Sequence, residues 1–91
     1  MDFITENNRI YKQDDSGKVL AEILFPDEGV GIVAITRTFV DESLHGQGIA
    51  DQLMRAACAE LEAQDKRATL VCSYAVKWFE KHPEHKGLLA D

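Results

Sequence analysis

Short apolar runs broken by turn-forming residues fill the chain as far as Val40, and from Gly48 the apolar spacing lengthens from two residues to between three and four. The first region therefore reads as β structure and the second as helix. Phe3 and Ile4, then Arg9-Ile10-Tyr11-Lys12, are short mixed runs. Asp14-Asp15-Ser16-Gly17 follows as a reversing turn, since its side chains can bond nearby backbone and its glycine tolerates positive φ. A hairpin into a longer strand, Lys18 to Phe25, is expected. Pro26-Asp27-Glu28-Gly29 is a second turn signal. Val30 to Val40 then predicts one further strand. Its first half, through Ile35, is apolar on both faces, whereas Thr36-Arg37-Thr38-Phe39 alternates and carries polar groups to one side.

Ile49, Leu53, Ala56 or Ala57, and Leu61 recur on one helical face, while Asp51, Gln52, Arg55, Glu62 and Asp65 fall largely elsewhere. This predicts an amphipathic helix on a sheet, ending near Gln64. Ala68 to Cys72 is a short run with strand propensity, expected to pair in parallel with the preceding strand through a right-handed crossover. Ser73 is a candidate cap for a second helix from Ala75 to about His82, where Pro83 ends it. The tail from Glu84 to Asp91 reads as a short turn or a frayed end. Four antiparallel-type strands, a helix, a strand and a helix make an α/β (α+β) fold. Without internal repeats, low-complexity segments or a linker, residues 1–91 are expected to form a single domain.

Composition narrows the setting. Ninety-one residues with 45% hydrophobic content supply one compact core and too little chain for two. A domain of this size buries roughly 60 to 65% of its unfolded surface, so modest stability or help from a partner subunit, such as a homodimer, is consistent with it. The net charge of -6 opposes broad binding to nucleic acid or an anionic membrane, which needs clustered Lys and Arg. Met1-Asp2-Phe3 does not open a secretory signal, and nowhere do the ~20 apolar residues needed to span a bilayer occur. Cys58 and Cys72 form neither a C-x-x-C pair nor a disulfide framework. A cytoplasmic protein with reduced thiols is expected.

His45-Gly46-Gln47-Gly48-Ile49-Ala50 lies where the buried strand gives way to the first helix. A helix N-terminus presents unpaired N–H groups and about half a positive charge, which suits phosphate. Gly46 and Gly48 would let the backbone approach a diphosphate closely, although two glycines also serve in a simple tight turn. A mononucleotide P-loop is excluded, because no Lys-Ser or Lys-Thr pair occurs. A dinucleotide fingerprint fits poorly, since Ile49-Ala50-Asp51 follows Gly48 and the sheet begins antiparallel.

Thr38-Phe39-Val40-Asp41-Glu42-Ser43-Leu44-His45-Gly46-Gln47-Gly48-Ile49-Ala50, followed by Cys72-Ser73-Tyr74 and by His82-Pro83-Glu84, resembles the very short members of the GCN5-related N-acetyltransferase (GNAT) superfamily. The likeness covers the C-terminal part of the chain closely and the N-terminal strands in order. The superfamily pattern of Gln or Arg, two residues, Gly, one residue, Gly or Ala is met by Gly48 and Ala50, but His45 stands where Gln or Arg is usual. The resemblance implies a minimal GNAT-like fold: a mixed, mostly antiparallel sheet whose parallel crossover pair is splayed around acetyl-coenzyme A, with two main helices. It implies that backbone near Thr38, Phe39 and Val40 pairs with pantetheine amides, that Gly46 to Ala50 hold the pyrophosphate, and that His45 and Ser73 also meet the coenzyme. The thioester then lies near Cys72, where an amine would attack it. No metal is implied.

The acid that protonates the leaving thiolate is not supplied by the resemblance, because Phe79 occupies the place of the tyrosine that serves many members. Tyr74 or Cys72 could substitute, and Cys72 could itself accept the acetyl group. A lone Cys at a strand end is also commonly a small packed residue. Cys58 reads as packing. His82 and His85 lack two further ligands for zinc. Arg37 could orient an acceptor or form an ion pair. Trp78 reads as an apolar anchor. Lys77 and Lys81 could touch nucleotide phosphates, yet exposed lysines are common on helices. The expected activity is acetyl-coenzyme A-dependent N-acetylation of an unidentified amine, on an open acceptor side that suits a protein amine. A non-catalytic acyl-coenzyme A module is the rival, and a purely structural domain a third reading.

Overall fold

Two sheets, not one, are built from the apolar runs. The computed structural model describes residues 2–90. Strands β1 (Ile4–Glu6), β2 (Arg9–Gln13) and β3 (Val19–Leu24) form an antiparallel meander, and β6 (Arg37–Val40) adds to its β3 edge. Strands β4 (Asp27–Gly29), β5 (Ile32–Ile35) and β7 (Arg67–Leu70) form the second sheet. Helix α1 (Ile49–Ala63) separates β6 from β7, helix α2 (Ser73–Lys81) follows β7, and short 3-10 turns occupy Glu42–Leu44 and Pro83–Leu88.

The expected single strand from Val30 to Val40 is broken at Thr36. Thr36 N–H donates to Leu24 O at 3.1 Å, although Leu24 is already the register partner of Arg37. Two residues facing one is a bulge, which bends and twists a strand. Ile32–Ile35, apolar on both faces, is paired on both edges, antiparallel to β4 and parallel to β7. Arg37–Val40 turns away and pairs with β3 instead. A sheet that would have been continuous is thereby split in two, and a gap opens between β6 and the end of β7.

Three other segments depart from the sequence reading. Asp27–Gly29, expected as part of a turn, is a short edge strand laddered to β5, its Asp27 and Glu28 carboxylates also bonded by Lys66 and Thr69, and the reversal falls at Val30-Gly31, where Gly31 takes φ +72. Val71 and Cys72 lie beyond β7, because both N–H groups converge on one acceptor, Ile35 O, at 3.1 and 3.0 Å. Such convergence ends a regular parallel ladder, whose bonds are evenly spaced. The tail is pinned: Leu89 bridges Ala68 and Ala90 N–H reaches Ala68 O at 2.8 Å. Asp91 lies outside the described residues.

The parallel pairing of the strand after α1 with Ile32–Ile35 is as the crossover argument expected. Helix α1 buries Ile49, Leu53, Met54, Ala57, Cys58 and Leu61, the stripe its spacing predicts, widened by Met54 and Cys58. That stripe shares one core with Ile10, Ala21 and Ile23 of the first sheet, with Phe25 just beyond β3, and with Val33 and Ile35 of the second, so the core spans the break at Thr36. Trp78, 4% exposed, anchors α2 as expected. No described helix is long and apolar enough to cross a membrane.

Candidate functional site

The gap between the two sheets ends in a cleft of about 480 Å³ that the turn after β6 and the start of α1 enclose. Along one wall runs β6. In an antiparallel ladder alternate residues turn their N–H and C=O groups to opposite edges. Asp41 N–H donates to Leu20 O at 2.8 Å, so the odd positions face β3, and Thr38 and Val40 present their backbone groups to the open edge. The ring of His45 confirms the direction for Val40: its Nε2 lies 3.1 Å from Val40 O. A carbonyl only accepts, so this nitrogen carries the hydrogen. His45 thus straps the loop to the strand, and one acceptor of that edge is already engaged.

The far wall is the start of α1. Gly46 and Gly48 adopt φ +82 and +71, the left-handed region open to glycine at little cost, and Gly48 is the N-cap. A Cβ built at either would meet nothing within 4 Å, so both face open space rather than packed atoms. Gln52 N–H is the first to bond within the helix, to Gly48 O at 3.1 Å. Among the described residues, the N–H groups of Gly48, Ile49, Ala50 and Asp51 make no hydrogen bond. These donors and the helix dipole make this end of the cleft a place for an anion. Phe39 and Leu44 supply apolar lining beside them.

Two groups that could do chemistry stand at this cleft: Tyr74 in its lining, and Cys72 off the lining but bonded to Thr38 in it. Cys72 is the N-cap of α2, and its Sγ–H donates to Thr38 Oγ1 across the gap at 3.6 Å. Burial alone would raise its pKa. The N–H of Ala75, the Thr38 hydroxyl and the N–H groups of Tyr74 and Thr38 outweigh burial and hold the thiol below its ordinary value. Tyr74 lines the same cleft, and burial followed by the Asp51 charge raises its phenol, so it remains a proton donor at neutral pH. Cys58 differs on every count: it is 1% exposed, and burial pushes it up to about 11. Phe79 is buried in the core edge-to-face against Trp78.

Thr38, Phe39, Val40, His45, Gly46, Gly48, Ile49, Ala50 and Tyr74, all singled out in the sequence, are brought together here. Gln47 and Ser73 are exposed and lie off the cleft wall; Ser73 is the first residue of α2 and not its cap, because Cys72 takes the extended backbone of that position. Arg37 is exposed too, with its Nε 3.3 Å from Glu22 and its guanidinium over the Phe39 ring, so the ion-pair alternative is the one observed. His82 Nδ1 meets Trp78 O at 2.7 Å and its ring stacks on Trp78, an ending to α2 rather than half of a metal site.

Sequence reasoning missed Asp51. At the start of α1, its Oδ1 accepts from Trp78 Nε1 at 2.7 Å and its Oδ2 from Arg55 at 2.9 Å, tying the floor of the cleft to α2. Its spacing to Arg55 was a signal; the bond to Trp78, from another element, was not. The Trp78 bond first, then that of Arg55, holds the Asp51 carboxyl below its usual range. A depressed folded-state pKa contributes stability that is present above the unfolded value and is lost as pH falls through the folded one. Thermal unfolding should therefore show stability declining below about pH 4, and more shallowly in Asp51→Asn than in the wild type. Equal slopes would show that the carboxylate does not hold α2.

A splayed mixed sheet with a glycine turn feeding a free helix N-terminus into the splay defines the class of the protein. A model of GCN5-related N-acetyl-transferases matches residues 9–88, and the chain belongs to that family. A GCN5-like protein from Staphylococcus aureus superposes with a TM-score of 0.81 at 25% identity, over 98% of this chain and 87% of that one. A GNAT-family N-acetyltransferase from Escherichia coli, solved in complex with CoA, superposes with a TM-score of 0.58 at 25% identity, over 68% of this chain and 38% of its own. Tetrahymena GCN5, 16% identical, shares the fold with a TM-score of 0.64, this chain spanning 48% of its length. No curated protein sequence shows a significant match.

Proposed function

We propose that the chain binds acetyl-coenzyme A in this cleft and transfers the acetyl group to an amine. The observation that carries the reading is the convergence on one cleft of the free N–H groups of Gly48 to Asp51, the open edge at Thr38 and Val40, and Tyr74, with Cys72 bonded to Thr38 beside it. The pyrophosphate takes the helix N-terminus, and pantetheine runs along β6 as an added strand, meeting Thr38 and Val40. The family relative solved with CoA supports the choice of coenzyme.

The thioester then reaches Cys72. The Cys72 thiolate attacks the acetyl carbonyl, forming the Sγ–C bond of a tetrahedral oxyanion, whose collapse breaks the C–S bond to coenzyme A. The departing thiolate takes a proton from the Tyr74 phenol, which regains one from solvent. An unprotonated amine attacks acetyl-Cys72, the Sγ–carbonyl bond breaks, and Sγ leaves as thiolate while the amine sheds a proton. The N–H groups that depress the Cys72 pKa make it a competent leaving group. Direct attack by the amine on the thioester, with Tyr74 as the acid, uses the same site without the covalent step. Acetyl-coenzyme A and reducing conditions are both supplied by a cytoplasmic location.

Intact-mass analysis after incubation with acetyl-coenzyme A should show one added acetyl group in the wild type and none in Cys72→Ala. Persistence of the adduct in that variant would sink the covalent route. Release of free coenzyme A thiol should exceed the one equivalent that forming acetyl-Cys72 liberates only when an amine, such as a lysine-containing peptide, is added. Binding without such release would favour a non-catalytic acyl-coenzyme A module, to which the burial of Phe79 in the place of the usual phenol also points.

A further inference from the structure

A second cleft, of about 310 Å³, adjoins the first and is lined by Asp51, Tyr74, Lys77, Trp78, Lys81 and His82. Asp51 and Tyr74 border both, so a ligand seated on the start of α1 can extend into it without leaving the surface. Lys77 and Lys81 stand four residues apart on α2, hence on one side of the helix. Both are exposed, and among the described residues neither has an ion-pair partner within 4.0 Å. Like charges at this spacing repel, and in a chain of net charge -6 two adjacent unpaired lysines concentrate positive potential at one spot.

We propose that Lys77 and Lys81 form a subsite for a phosphomonoester dianion, the 3′-phosphate on the ribose of coenzyme A. The proposal rests on the reading of the first cleft as the coenzyme site. With the pyrophosphate on the N-terminus of α1, the shared Asp51 in the first turn of that helix brings the second cleft up to the phosphate end of the coenzyme. The one carboxylate in the lining does not oppose this, because Asp51 is engaged through both oxygens, by Trp78 at 2.7 Å and Arg55 at 2.9 Å. Lysine suits a terminal phosphate as a point charge on a flexible stem. The subsite reads the phosphate and not the base: Trp78 is 4% exposed, with His82 stacked on its ring at 4.0 Å and the Arg55 guanidinium 5.7 Å away, so it offers no free face to adenine.

Calorimetric titration with acetyl-coenzyme A and with acetyl-dephospho-coenzyme A, which lacks only the 3′-phosphate, tests this. The wild type should bind the first about tenfold more tightly, and raising the salt concentration should narrow the gap. The double variant Lys77→Ala/Lys81→Ala should bind both equally, with the affinity the wild type shows for the dephospho compound. That second affinity also reports that the variant is folded and its first cleft intact. A wild type without preference, or a double variant that keeps it, overturns the subsite while leaving the coenzyme reading in place. Failure of the wild type to bind either compound overturns both.

Discussion

Gly48→Val should bind acetyl-coenzyme A on the order of a hundredfold more weakly than the wild type, the loss expected when a side chain displaces phosphate from two or more charge-assisted N–H contacts. Gly48 sits at φ +71 with open space where a Cβ would project, and that space is the anion end of the cleft. The backbone itself also resists the change, because a β-branched residue in the left-handed region costs on the order of 1–2 kcal/mol of stability. The two effects separate with a control. Gly17, at φ +91 in the β2–β3 turn, is not part of the cleft lining, and Gly17→Val should lose stability with no loss of coenzyme affinity. A folded Gly48→Val that binds as the wild type does would remove the helix N-terminus from the site.

Leu53→Ala is expected to be among the most damaging truncations on α1. Leu53 is 0% exposed, at the centre of the α1 stripe between the two sheets. Truncating such a leucine costs about 2–5 kcal/mol from lost transfer energy and the cavity left behind. Small domains have total stabilities of about 5–15 kcal/mol, so the variant should unfold at markedly lower urea concentration, and its midpoint temperature should drop by about 10 °C or more. Gln52→Ala, one residue earlier and exposed, should stay within about 0.5 kcal/mol of wild type. Equal effects at positions 52 and 53 would contradict the packing described.

The α1 stripe was legible because a helix face is a local, periodic pattern, and the cleft loop because glycine pairs at a strand-to-helix junction have few uses. The split at Thr36 was not. Val30 to Val40 carries an unbroken strand signal, and what breaks it is a hydrogen bond to Leu24 on another strand together with the demand of Ile35 O for two partners after α1. Both are tertiary. The short β4 strand was hidden for a related reason: Asp27–Gly29 has turn composition and is exposed throughout, so only its ladder with β5 reveals it. Ser73 looked like a cap by residue type, yet the cap position went to Cys72, one residue earlier.

At the site, the residues named in advance cluster where the chain itself is continuous, from Thr38 to Ala50, and at Tyr74. Asp51 was overlooked because its partner Trp78 lies 27 residues away. The chemical character of Cys72 was equally out of reach. Its sequence neighbours could place a thiol near a helix start, but the Thr38 hydroxyl and N–H that help to depress its pKa come from across the gap.

The central claim is that the cleft between the two sheets is a coenzyme site, and calorimetric titration of the purified protein with acetyl-coenzyme A and with coenzyme A measures it directly. Saturable binding of one equivalent of each, abolished or strongly weakened in Gly48→Val, is the result expected. Absence of binding by the folded wild-type protein would contradict the account.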